Sequence, residues 1–122
     1  GIDGFIATNT TISRPVPKDT RSRKILVESG GLSGRPLHNK SVEMIGELYD
    51  TVGEKVPIIG CGGIENTETA WSSITNGASL IQLYSSMVFE GPSVVSSIIK
   101  GLKKKMREEQ FDNFHEIIGY SR

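Results

Sequence analysis

The sequence has one cysteine, no excess of charge of either sign and no long hydrophobic run. A single cysteine excludes a disulfide framework and a zinc site built from several thiolates. The 14 Lys and Arg balance the 14 Asp and Glu, which argues against nucleic acid as a partner. The longest apolar windows, 56–64 and 78–89, are far shorter than the roughly 20 residues that cross a membrane. No group of His, Cys and carboxylate residues has metal-ligand spacing, so we predict no metal site.

The length of 122 residues allows one domain at most, and no linker or low-complexity stretch divides it. The first residues, GIDGFIATNTT, contain neither a Met nor the charged and apolar regions of a signal peptide. We therefore expect the sequence to be a piece of a longer chain.

Short apolar runs alternate with segments of helical spacing. The pattern predicts strands at 4–11, 56–60 and 79–84, and helices at 39–51, 67–75, 92–108 and 113–118. Residues 12–30 are predicted to be a long basic loop, because Pro15 and Pro17 interrupt any regular helix there. Since the strands are apolar runs rather than alternating patterns, we expect a parallel sheet of βαβ units that is buried on both faces.

All three predicted strands end in residues suited to binding a ligand. The first is followed by Thr8, Asn9 and Thr10, the second by two glycines, and the third by Tyr84 and Ser85. Carboxyl ends of parallel strands lie on one rim of the sheet, which is where α/β folds build their sites. The three groups are therefore expected to converge.

Each group also has an ordinary structural explanation. Gly62 and Gly63 let the backbone approach an anion, and with the Ser85 backbone they could form a phosphate site, but they equally suit tight turns. Asn9 and its threonine neighbours could bind a planar ligand with paired donors and acceptors, but strand-end capping is favoured on the sequence alone.

Other reactive or charged residues favour structural roles. Cys61 lies among isoleucines, which predicts a buried and unreactive thiol. His38 and His115 are far apart in the sequence, so solvated or capping roles are predicted for both. A solvated helix face is favoured over binding to an anionic partner or a membrane surface for five basic residues, namely Lys100, Lys103, Lys104, Lys105 and Arg107.

Four motifs in order resemble the dihydroorotate dehydrogenase family, and the fit is to its membrane-linked class 2. They are IATNTT at 6–11, GGLSGRPL at 30–37, PIIGCGGI at 57–64 and GASLIQLYSSMVFEGP at 77–92. The resemblance covers the whole chain and implies the C-terminal part of a (βα)8 TIM barrel, about its last three βα units. Residues 1–122 would then be a partial FMN-binding barrel domain with no second domain.

The resemblance also implies an activity. Members of the family use FMN to oxidise dihydroorotate to orotate in de novo pyrimidine (UMP) biosynthesis, and class 2 members pass the electrons to a ubiquinone-type quinone. The eukaryotic branch, to which ISRP at 12–15 is similar, lies at the mitochondrial inner membrane; a prokaryotic member would lie at the bacterial membrane. Membrane attachment is expected through an N-terminal region outside these residues.

Family positions match ten residues of this sequence. The resemblance implies FMN contacts at Thr8, Gly34, Gly63, Tyr84 and Ser85, substrate contacts at Asn9 and Thr10, and a quinone tunnel at Met87, Val88 and Pro92.

The family's catalytic base is a Ser on an earlier loop, so this chain is expected to contain no catalytic residue and to have weak or no activity alone. Two alternatives stay open: another FMN barrel, such as the dihydropyrimidine dehydrogenase branch, and a truncated product without catalysis.

Overall fold

The computed structural model describes residues 1–122 and contains one sheet of three parallel strands in the order β1-β2-β3. The strands are β1 Phe5–Ala7, β2 Ile58–Cys61 and β3 Leu80–Gln82. The predicted parallel sheet is confirmed, although the strands predicted at 4–11 and 79–84 extend beyond the paired residues and the one predicted at 56–60 begins too early and stops before Cys61.

Five α-helices surround the strands in chain order. They are α1 Thr20–Leu26, α2 His38–Val52, α3 Thr67–Thr75, α4 Ser85–Glu90 and α5 Ser93–Glu108, and 3-10 turns cover Arg35–Leu37, Gly53–Lys55 and Phe114–Ile117. The helices predicted at 39–51, 67–75 and 92–108 are confirmed within one residue at each end. The segment predicted as a helix at 113–118 forms a 3-10 turn instead. No helix combines the length and the apolar character that crossing a lipid bilayer requires.

Two short helices were missed by the sequence patterns. The predicted loop 12–30 contains α1, which begins beyond both prolines because the Asp19 side chain caps it by accepting from the Ser22 amide at 2.7 Å. The six residues of α4 directly follow the third strand. Helices of one or two turns have too few positions for an apolar repeat to be visible.

The helices bury one face of the sheet. Ile58 of β2 and Ile45 of α2 are fully buried together, beside Ala7 and Ala78. Val94, Ile98 and Leu102 recur every fourth residue along α5 and join a second cluster with Ala70, Ile74 and Ile117. The apolar spacing of these helices therefore forms the core that fixes the strands from one side.

The opposite face of the sheet is open in these residues, which corrects the expectation that both faces are buried. Ile6, Ile59 and Leu80 lie in register across the three strands, and Ile6 and Leu80 are 66% and 61% exposed. Side chains alternate along a strand, so this apolar row points away from the helices. The strands look doubly buried in sequence because their second face is apolar as well.

The basic face of α5 is largely solvated, as predicted, with one exception. The Lys105 ammonium donates to Glu68 at 2.6 Å and lies 5.4 Å from the centre of the Trp71 ring. Its side chain is only 23% exposed, so this lysine ties α5 to α3.

Candidate functional site

The carboxyl ends of the strands surround one cavity of about 430 Å³. This volume lies within the roughly 300–1,000 Å³ of small-molecule sites. The cavity brings together the residues for which cofactor and substrate contacts are expected: Thr8, Asn9, Thr10, Gly34, Gly63, Tyr84 and Ser85. The predicted convergence of the three strand ends is therefore present in the structure.

The first wall of the cavity continues β1. The Thr8 amide donates to the Cys61 carbonyl at 2.6 Å, which extends the pairing of β1 with β2. The Thr8 hydroxyl is buried and has no hydrogen-bond partner. The Asn9 side-chain oxygen accepts from the Thr10 amide at 2.7 Å, so the Asn9 NH₂ group has both of its donors available to a ligand.

The second wall depends on glycines because backbone segments approach closely there. A Cβ on Gly63 would lie 2.7 Å from the His38 backbone nitrogen and 2.8 Å from the Gly34 carbonyl oxygen, and Gly63 has φ of +66°. A Cβ on Gly34 would lie 3.7 Å from the Ser85 Cβ. The loops after β2 and before α2 and the start of α4 therefore meet at one point, where the amides of a helix's first turn have no partners within the helix.

The charges around the cavity are nearly balanced. Arg35 and Glu65 form an ion pair at 2.8 Å, in which Arg35 is 81% exposed and Glu65 26%. Glu90 also lines the cavity, and the Ser86 hydroxyl is buried without a partner. Since Arg35 is already paired, an anion in this cavity would rely on backbone amides and hydroxyls rather than on a free cation.

Cys61 lines the cavity but is not activated. Cys61 is half-buried rather than buried as predicted, but its partial burial still raises the pKa of the thiol, so the unreactive neutral form prevails near neutral pH. The Cys61 carbonyl accepts from the Ser41 hydroxyl at 2.7 Å as well as from Thr8. This residue therefore contributes backbone geometry rather than a nucleophile.

His38 differs from its predicted solvated or capping role. It is the first residue of α2, is half-buried against Gly63, and its Nδ1 atom is buried without a partner. Burial lowers the pKa of His38, while the Gly62 backbone and the Glu65 carboxylate oppose that shift. Sequence could not reveal this environment because it depends on where the Gly62–Gly63 loop packs.

Stability should depend on pH through His38. Because folding lowers the pKa of His38 below 6.5, the unfolded chain binds more protons than the folded chain near and below that pH. The free energy of unfolding therefore falls as the pH decreases from about 6.5 toward the lower pKa of the folded state. Urea unfolding at a series of pH values should show this loss in the wild type and a flatter profile in His38→Gln. The exposed His115 is the control, and a flatter profile in His115→Gln instead would contradict the assignment.

The three residues predicted to line a quinone tunnel do not line this cavity. Met87 and Val88 of α4 are 40% and 69% exposed, and Pro92 follows in the turn before α5. They form a surface beside the cavity, next to Phe89, which does reach it.

Several cavity residues were not singled out in the sequence. They lie close in the chain to the predicted site residues. They are Ser33, Arg35, Leu37, Glu65, Gln82, Ser86, Phe89 and Glu90. Gln82 could have been found because a polar residue alternates there with apolar neighbours in β3. Whether the others line the cavity depends on the path of the chain around it, and the local sequence carries no signal for that.

Known proteins share both the sequence and this geometry. Residues 1–106 match the sequence profile of the family described as Dihydroorotate dehydrogenase. The chain is 44% identical to the dihydroorotate dehydrogenase (quinone) of Trichodesmium erythraeum, over 97% of this chain and 32% of that protein. It is 40% identical to the dihydroorotate dehydrogenase (quinone), mitochondrial, of Oryza sativa subsp. japonica, over 97% of this chain and 25% of that protein.

A solved structure extends the match to the backbone. The ligand-free enzyme of Eimeria tenella superposes with a TM-score of 0.89 at 37% identity, covering 98% of this chain and 33% of that one. The chain thus spans about a quarter to a third of the length of these relatives, and it corresponds to the C-terminal part of their TIM barrel. On the profile match, the sequence identities and the superposition together, the chain belongs to the dihydroorotate dehydrogenase family.

Proposed function

We propose that this chain is the C-terminal part of a quinone-dependent dihydroorotate dehydrogenase, in which it supplies part of the flavin site and part of the substrate site. The observation that carries the proposal is the convergence of three strand-end segments on one cavity, in a chain whose relatives are named for this activity. The reaction would oxidise dihydroorotate to orotate in pyrimidine biosynthesis.

We expect the FMN phosphate to bind at the corner of the cavity where Gly34, Gly63 and Ser85 meet. An added Cβ at Gly63 would strike the His38 and Gly34 backbones, so glycine lets these loops meet beside Ser85. The first-turn amides of α4 have no partners within the helix and would be the donors to the phosphate. The buried Thr8 and Ser86 hydroxyls lack partners within the chain, so a ligand in the cavity would satisfy them. When bound, FMN supplies the acceptor for the hydride that leaves C6 of the substrate.

Asn9 and Thr10 suit the substrate ring. The Asn9 carboxamide is oriented by the Thr10 amide, and its NH₂ group remains free to donate to a carbonyl or carboxylate oxygen. The residues of this chain would thus hold the ring in the plane required for transfer. The proton from C5 would go to a Ser outside these 122 residues, and the chain alone is expected to have weak or no turnover.

The electron acceptor and location follow from the relatives rather than from a residue here. A ubiquinone-type quinone would approach along the exposed surface of Met87, Val88 and Pro92 beside the cavity. The mitochondrial name of the rice relative suggests the mitochondrial inner membrane for a eukaryotic protein, and the bacterial membrane is proposed for a prokaryotic one.

The first experiment is the visible spectrum of the full-length protein that contains this segment, followed by release and identification of its flavin. Stoichiometric FMN and dihydroorotate-dependent reduction of a quinone are expected. The 122-residue chain, purified in parallel, should support neither turnover nor tight flavin binding. A full-length protein that reduces quinone with another substrate, or carries no flavin, would contradict the proposal.

A further inference from the structure

One arginine holds together the long segment between the two walls of the cavity. Residues 12–31 form a segment that begins after Thr11 and returns at Leu32, where the backbones of these two residues pair through hydrogen bonds of 3.0 and 2.7 Å. Within this closed segment, the Arg14 guanidinium donates to four backbone carbonyls. They belong to Thr11 and Leu26, both at 3.0 Å, and to Glu28 and Gly30, at 3.5 and 2.5 Å.

These four acceptors lie on both arms of the segment. Thr11 belongs to the outgoing arm, while the other three belong to the returning arm at and beyond the end of α1. The guanidinium can reach them because its five N–H donors form a rigid planar fork. A lysine ammonium concentrates its three donors on one atom and cannot span the same set.

The returning arm contacts the proposed substrate residues directly. A Cβ on Gly31 would lie 1.8 Å from the Thr10 hydroxyl oxygen, so the Gly31 backbone packs against the Thr10 side chain. Thr10 in turn orients Asn9 through the 2.7 Å bond from its amide. Directly beyond Leu32, the Ser33 hydroxyl contacts that of Ser85 at 3.2 Å across the cavity.

We propose that Arg14 is a positioning residue for the substrate site. By tying the two arms together, it sets the location of Gly31 against Thr10 and thereby the direction of the Asn9 donors. This inference rests on the proposed function, because it takes Asn9 and Thr10 as substrate contacts. Arg14 itself does not line the cavity, so its effect passes through the backbone it holds.

The test uses the full-length protein that contains this segment, with Arg14→Met, Arg14→Lys and, as control, Arg21→Met. Arg21 is an exposed arginine of α1 outside the carbonyl network. In Arg14→Met we expect about a tenfold or larger rise in the KM for dihydroorotate and a matching loss of orotate affinity, because small displacements of positioning groups have effects of this size. FMN content should stay near that of the wild type.

Trypsin provides an independent measure of the segment itself, since Arg23 and Lys24 lie within it and are kept in all three variants. Cleavage there should accelerate in Arg14→Met and, to a smaller extent, in Arg14→Lys. If Arg14→Met does not fold, the lysine variant carries the test with an intermediate KM. Faster cleavage with an unchanged KM would overturn the positioning role. A wild-type protein that neither oxidises dihydroorotate nor binds orotate would instead overturn the proposed function.

Discussion

Replacing Gly63 with Ala should remove FMN from the full-length protein and destabilise its fold. The added methyl group would lie 2.7 Å from the His38 nitrogen and 2.8 Å from the Gly34 carbonyl oxygen. Both are backbone atoms, which cannot rotate away as a flexible side chain could. Overpacking and the strain of a non-glycine residue at φ of +66° together should cost about 2–4 kcal/mol.

Gly53 offers a matched control for this substitution. It has φ of +59°, and an added Cβ would meet nothing within 4 Å. Gly53→Ala should therefore show the backbone cost alone, about 1–3 kcal/mol at φ 59° and ψ −151°, and keep its flavin. Visible absorbance after gel filtration reports bound FMN, and urea unfolding reports stability. Equal losses in the two variants would show that crowding at Gly63 does not shape the site.

The sequence predicted much of the site because strand ends carry a local signal. Gly62 and Gly63 after an apolar run, and Asn9 after another, are visible as residue types, and the rule that parallel strands share a rim places them together. Identity required the four motifs, since glycine spacing alone left the phosphate site and a tight turn equally open.

What the sequence could not predict depends on long-range packing. His38 is half-buried only because the Gly63 loop lies against it, and Arg14 finds its four acceptors only after residues 20–26 fold into a helix. The open face of β1 and β3 was missed for a related reason. An apolar strand is typical of burial on both faces, but Ile6 and Leu80 stay exposed within these residues.

Replacing Asn9 with Asp should cause a large loss of activity while the flavin stays bound. Asp keeps the size of the side chain and can still accept from the Thr10 amide, but it replaces the free NH₂ donors by an oxygen. It also places a negative charge beside a substrate that is itself an anion. Loss of one well-placed donor reduces turnover by about 10²–10³-fold, so kcat/KM for dihydroorotate should fall at least that far in Asn9→Asp.

The control separates substrate recognition from a general effect of added charge. Asn39 is exposed at the start of α2, outside the cavity, and Asn39→Asp makes the same chemical change there. That variant should keep both its FMN and its kcat/KM, since an acidic residue in the first turn of a helix is favourable. Asn9→Asp should also keep its FMN, because the expected flavin contacts lie on other residues, namely Thr8, Gly34, Gly63, Tyr84 and Ser85. If Asn9→Asp lost its flavin, or if it retained turnover, Asn9 would not be the donor to the substrate.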